Sequence, residues 1–140
     1  MRNHIQSFLE NTEKFNVKFN CIDKDTSIGL NPITNKVDHF KQSYFTTIVN
    51  NRVVSSCLIH IPIHDKYVKL IDVKSRKTSM GYGSLLIQKL KEYLKSIGIN
   101  QIYLGCSKNN LGAQKFYERE GFKNIGDFGS DTYLKYLLKF

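Results

Sequence analysis

Hydrophobic positions change period along this chain, and the changes mark its elements. Ile5, Phe8 and Leu9 fall at helical spacing and predict a helix over Met1 to about Lys14. Phe15 to Ile22 alternates like a strand, and Asp23 to Val37, which includes Asn31-Pro32, reads as loop. SYFTTIV (43–49) and RVVSSCLIHI (52–61) are rich in β-branched residues and flank Asn50-Asn51, a pair that tolerates the positive φ of a tight hairpin. A loop around Pro62 to Asp65 leads to YVKLIDV (67–73), completing an expected antiparallel meander. The period then becomes helical: Leu86, Leu90, Tyr93, Leu94 and Ile97 share a face, and Gly98 stands where such a helix ends. INQIYLGC (99–106) reads as a buried strand, so strand, helix and strand predict a right-handed βαβ unit with one parallel pair. A second helix, about Asn110 to Glu120, sets Ala113, Phe116 and Tyr117 on one side and stops at Gly121; short strands follow near FKNIG (122–126) and YLKYLL (133–138).

The order predicts an α+β (mixed α/β) chain. With 140 residues and no repeat, linker or low-complexity tract, one domain over 1–140 is expected. No apolar stretch approaches the ~20 residues of a membrane span, and MRNHIQSFLENTEK is too polar for a secretory signal. Cys21, Cys57 and Cys106 are odd in number and form no C-x-x-C pair, so neither a metal site nor a disulfide framework is expected. These features predict a cytoplasmic protein with reduced thiols and no membrane partner. Charge changes the picture more: 21 Lys and Arg against 12 Asp and Glu give +9, a balance suited to polyanionic or phosphorylated partners as well as to solubility alone.

The segment TSMGYGSLL (78–86) places two glycines where a strand hands over to the long helix. The first amides of a helix lack internal partners and carry partial positive charge, so a turn free of side chains admits a phosphate. A tight turn needs the same glycines for itself. No Gly-Lys-Ser or Gly-Lys-Thr follows, which excludes a P-loop, and Leu86 stands where a dinucleotide fingerprint needs its third glycine.

Read as a whole, VKSRKTSMGYGSLLIQKL (73–90) resembles the acetyl-CoA-binding motif of the GNAT superfamily of N-acetyltransferases, in which a strand-ending valine leads through an [RQ]-x-x-G-x-[GA] loop into a helix; Val73 stands ten residues before Gly83. NLGAQKFYEREGF (110–122) fits the family's next helix, with Asn110, Ala113, Tyr117, Gly121 and Phe122 in register. The resemblance covers about residues 43 to 126. Thr78 stands where Arg or Gln is usual, and Ser79 where a glycine commonly follows.

The resemblance implies a central, mixed and mostly antiparallel sheet with a splayed parallel strand pair, flanked by helices. It implies acetyl-CoA as co-substrate and no metal, held by Ile71, Asp72, Val73, Thr78, Ser79, Met80, Gly81, Tyr82, Gly83, Ser84, Asn110, Ala113, Phe116 and Tyr117, with Lys74, Arg76 and Lys77 as upstream sources of positive charge. It further implies direct attack by an amine within a ternary complex. A lysine-like amine is neutral in only about one molecule in a few thousand at pH 7, so a base is required, together with a donor for the oxyanion and an acid for the departing thiolate. The family takes the donor from a backbone N–H around Ile71 to Val73 and the proton from the tyrosine here numbered Tyr117. Many relatives place a glutamate where this chain has Tyr67 or Lys69. Asp72 lies nearby, although strand alternation sets it opposite Tyr67, Lys69 and Ile71. Asp65, His60, His64 or a water relay remain, and Cys106 reads as packing. The acceptor is a small-molecule or protein amine, and a homodimer is left open. Two other functions compete: a GNAT-like domain that binds CoA without turnover, and, less favoured because its basic residues are scattered, a nucleic-acid-binding module.

Overall fold

The computed structural model describes residues 18–31, 36–62, 67–76 and 81–140. These form strands β1 (Lys18–Asn31), β2 (Lys36–Val49), β3 (Arg52–Pro62) and β4 (Tyr67–Ser75), helix α1 (Tyr82–Ser96), strand β5 (Gln101–Ser107), helix α2 (Leu111–Arg119) and strands β6 (Lys123–Asp127) and β7 (Tyr133–Lys139). One sheet joins them in the order β1-β2-β3-β4-β5-β7-β6. Only β4 and β5 pair in parallel; every other neighbour is antiparallel. The expected helix over 1–14 and the residues Thr78, Ser79, Met80, Lys77, His64 and Asp65 lie outside the described residues.

The elements follow from local chemistry. Asn50 and Asn51 take φ of 50° and 63°, so both central residues of the β2–β3 turn are left-handed, as a two-residue hairpin requires. Gly98 (φ 83°) and Gly121 (φ 99°) end the two helices in the conformation that L-residues resist. Helix α1 lays Leu86, Ile87, Leu90 and Leu94 on one face of the sheet, against Phe45, Cys57, Ile59, Val68, Leu70, Ile102 and Leu104. Ile97, read as part of that face, instead caps the helix and is 47% exposed.

The N-terminal half departs from the sequence reading. Residues 23–31 and 36–37 are strand, not loop, and β2 begins at Lys36, ahead of the strand expected from Ser43. β1 runs on to Asn31 and pairs with β2 from Lys18↔Ile48 to Asn31↔Lys36, with an irregularity between Asp23 and Thr26. β1 lies at the edge of the sheet, so long-range pairing with β2, rather than an alternating hydrophobic pattern, holds this polar segment extended.

Candidate active site at the β4–β5 gap

The site begins with a defect in β4. Ile71 pairs with Leu58 and Lys74 with Ser56, so Asp72 and Val73 together stand opposite Cys57: a β-bulge, with Asp72 at φ 50°. The bulge corrects the simple alternation expected of this strand. Val68 and Leu70 are buried in the core; Asp72, which should follow them, is exposed, and Val73 packs against that core instead. On the opposite edge, β4 and β5 share only the rungs Tyr67↔Gln101, Val68↔Ile102 and Lys69↔Tyr103, although they continue to Ser75 and Ser107. A bulge bends and twists its strand, so β4 parts from β5 beyond Lys69 and a gap opens between two parallel strands.

Helix α1 starts beyond the end of this gap. Gly81 takes φ 75° and ψ 13° at its N-cap; no side chain caps the helix and no acidic residue occupies its first turn. The N–H groups of the first helical turn, those of Gly83 and Ser84 among them, therefore lack an intrahelical partner and lie at the positive end of the helix dipole. The two glycines do different work. Gly81 supplies the left-handed turn. Gly83 makes room for α2, because a Cβ there would lie 3.1 Å from two ring carbons of Phe116. Ser84 is 5% exposed and donates its hydroxyl to Glu120 Oε2 at 2.7 Å, which ties the start of α1 to the end of α2 and leaves only its amide for a ligand.

Beside this helix start, Val53, Val54, Ser55, Ser56, Lys74, Ser75 and Arg76 line a cavity of about 250 Å³. The Ser55 hydroxyl, one of these lining groups, is buried without a hydrogen-bond partner among the described residues, as is that of its cross-strand neighbour Thr47. Two cations, an orphaned hydroxyl and an uncapped helix start form a donor-rich end of the site that suits a phosphorylated ligand.

Helix α2 contributes differently. Asn110 is its N-cap, and its side-chain oxygen accepts from the Ala113 N–H at 3.0 Å, so both groups are engaged in starting the helix. Phe116 covers Gly83 and meets Tyr117 edge-on at 5.3 Å. Tyr117 also packs edge-on against Phe122 at 5.5 Å and is tilted against Tyr136 at 6.2 Å. Burial, and then the neighbouring Cys106, Cys57 and Asp72, push the Tyr117 hydroxyl up to about 12. Those neighbours belong to β5, β3 and β4, which sets Tyr117 beside the gap. Its hydroxyl donates to no acceptor among the described residues, whereas Tyr136 donates to Glu118 Oε2 at 3.0 Å. Of the two phenols, Tyr117 is the one with a proton left to give. Cys106 donates weakly to the Ser107 carbonyl at 3.7 Å and burial raises its thiol, consistent with the packing role expected of it.

The other sheet face has a chemistry that the sequence reading did not anticipate. Lys69 and His60 are cross-strand partners, and burial lowers both; Lys69 lowers His60 further. Phe128, from the β6–β7 turn, lies over Gly105, whose Cβ would meet its ring at 3.3 Å, and stacks on Tyr103 at 6.2 Å. Lys69 Nζ and Lys135 Nζ lie 5.0 and 5.6 Å from the same ring centre. No group of three or more potential metal ligands occurs among the described residues, and none of their helices is long and apolar enough to cross a membrane.

Known proteins resemble this chain in sequence or in fold. GCN5-related N-acetyltransferase 4, chloroplastic, of Arabidopsis thaliana is 37% identical over 59 residues, which is 42% of this chain and only 20% of that protein's length. The PaiA N-acetyltransferase of Thermoplasma acidophilum, solved with coenzyme A, superimposes with a TM-score of 0.62 at 16% identity, covering 69% of this chain and 60% of its own. An acetyltransferase of Bacillus anthracis str. Ames, solved with acetyl coenzyme A, gives 0.65 at 17% identity over 90% of this chain and 98% of its own. At these identities the two structures establish a shared fold: mixed, mostly antiparallel, with one parallel pair. The sequence model of the acetyltransferase (GNAT) family matches residues 11–122, spanning bulge, gap, α1 and α2, and the chain belongs to that family.

Proposed function

We propose that this chain is an N-acetyltransferase that takes its acetyl group from acetyl-CoA and passes it directly to an amine. The observation that carries the reading is the uncapped start of α1 at the end of a strand gap, with an undonated tyrosine hydroxyl beside it. Bound acetyl-CoA would supply an activated thioester and a thiol leaving group. The amides of Tyr82, Gly83 and Ser84 would hold its pyrophosphate, with Lys74, Arg76 and the Ser55 hydroxyl nearby for its other phosphate. Thr78, Ser79 and Met80 belong to the same loop in this reading.

The chain's own groups then divide the chemistry. The parted edges of β4 and β5 present backbone groups that hydrogen-bond an extended amide chain, as another strand would. An N–H within Ile71 to Val73, freed from ladder geometry by the bulge, donates to the carbonyl oxygen. Tyr117 is protonated across the physiological range, as a phenol ordinarily is and the more so with its pKa raised by burial, and it donates to sulfur as negative charge grows there. Asn110, Ala113 and Phe116 act by holding α2 and Tyr117 in place.

A non-catalytic CoA-binding domain is the second reading, favoured by one feature: Tyr67 and Lys69 stand at the two positions where the family resemblance would set a glutamate. Titration with CoA followed by release of CoA thiol with a panel of amines separates the two. Binding with turnover supports the enzyme, binding without turnover supports the second reading, and absence of binding removes both.

A further inference from the structure

Lys69 is the side chain that the mechanism above leaves unused, and its position is specific. It forms the last rung with Tyr103 before β4 and β5 part, on the sheet face opposite the core that holds α1 and Tyr117. Its ammonium reaches across to Phe128, whose ring lies over Gly105, two residues into the separated part of β5. Lys69 and Phe128 therefore stand at the far mouth of the gap, and Lys135 approaches the same ring from β7. An acceptor entering opposite the Tyr117 side passes between them.

Lys69 is half-buried, it makes no ion pair among the described residues, and no carboxylate is among the influences on its titration, which is shifted by burial alone. Its cross-strand partner is His60, another potential cation. Burying an ammonium is costly unless an anion accompanies it. A ring face is weak compensation, worth about 0.5–1 kcal/mol at exposed sites and about 2 when desolvated. A polycationic amine would meet like charge here.

Resting on the acetyltransferase reading, we infer that the acceptor is an amine carrying its own carboxylate or phosphate, with that anion held by Lys69 against the Phe128 ring. The same positive potential favours the neutral form of the incoming amine. This offers a physical substitute for the glutamate missing from β4: the site lowers the amine's proton affinity by charge instead of removing its proton by a carboxylate.

The test uses the full chain and four named amines: phosphoethanolamine and β-alanine as anionic acceptors, ethanolamine as the neutral-tailed control and spermidine as the polycation. CoA affinity is measured first. Acetylation is then followed by thiol release, and binding of phosphoethanolamine without CoA by NMR shifts of the Lys69 and Phe128 side chains. The expected result is preference for the anionic amines, lost by about 10- to 100-fold in KM in Lys69→Gln, as for one charge-assisted hydrogen bond, and largely kept in Lys69→Arg, with CoA affinity unchanged in both. CoA binding with spermidine or ethanolamine acetylated as well as the anionic amines overturns the inference and leaves the acetyltransferase reading intact. If CoA does not bind, that reading fails, and the NMR experiment decides the anion site alone: Phe128 ring shifts present in the wild type and absent in Lys69→Gln support it, and Phe128 shifts equal in the two proteins, or no shift in the wild type, overturn it.

Discussion

Tyr117→Phe removes one oxygen and keeps the ring that packs on Phe116, Phe122 and Tyr136. Because the hydroxyl has no acceptor among the described residues, its loss orphans no protein group, and stability should change by less than about 1 kcal/mol at neutral pH. Loss of a general acid typically costs about 10²- to 10⁴-fold in rate, equivalent to roughly 3–5 kcal/mol of transition-state stabilisation. The same substitution has a second, activity-independent signature. In the folded chain Tyr117 titrates at about 12 rather than the ordinary 10.0. A raised value favours the protonated, folded state, so this contribution is fully present below pH 10 and is lost as pH climbs toward 12. Two pKa units correspond to roughly 2.7 kcal/mol. Wild type should therefore lose stability over pH 10–12 more steeply than Tyr117→Phe. Urea unfolding across that range and single-turnover acetylation at neutral pH measure the two effects. A Phe variant within about threefold of the wild-type single-turnover rate would remove Tyr117 from the chemistry, and identical alkaline stability profiles would refute its burial beside the gap.

The two glycines should separate by experiment. Gly81→Ala forces an L-residue into the left-handed region, at roughly 1–2 kcal/mol, and should weaken CoA binding by disturbing the first turn of α1; calorimetric titration checks it. Gly83→Ala should destabilise the wild type by crowding Phe116 but stabilise a Phe116→Ala background by up to about 1 kcal/mol, since alanine is the better helix former; a double-mutant cycle in urea reads that change of sign. Asn110→Ala should cost about 1 kcal/mol through loss of its cap while leaving CoA affinity within about twofold, because its oxygen faces its own helix; unfolding and titration of one sample distinguish this from ligand contact. Neutralising Lys74 and Arg76 together should flatten the salt dependence of CoA affinity between about 50 and 300 mM, over which the screening length falls from about 14 to about 6 Å, and an unaltered slope would assign both to the solvated surface.

The parts of the fold that local chemistry determines were readable in advance. Asn50-Asn51 specifies a turn by the conformations it tolerates, Leu86, Leu90 and Leu94 specify a buried helix face by spacing, and Gly98 and Gly121 specify helix ends by handedness. The missed parts depend on distant partners. Residues 23–31 are polar and form a strand because β2 pairs with them at the sheet edge. Nothing in YVKLIDV marks a bulge, since Asp72 becomes left-handed only when Cys57 faces two residues. Within the candidate site, the Gly81 turn and Tyr117 were legible from motif spacing, whereas the separate work of Gly83 required Phe116 to be placed against it. Lys69, Phe128 and Lys135 come from β4, the β6–β7 turn and β7, and only the assembled sheet brings two ammonium groups over one ring.

The central claim is that a phosphorylated, thioester-bearing ligand lies along the β4–β5 gap with its pyrophosphate at the start of α1. Backbone amide shifts of the ¹⁵N-labelled full chain, followed during titration with CoA, test it most directly. The account predicts saturable changes concentrated at Ile71 to Arg76 and Gly81 to Ser84, with smaller changes along β5 from Leu104 to Ser107 and little effect on β1 or β6. Absence of saturable change up to millimolar CoA, or changes confined to residues away from the gap, would contradict it.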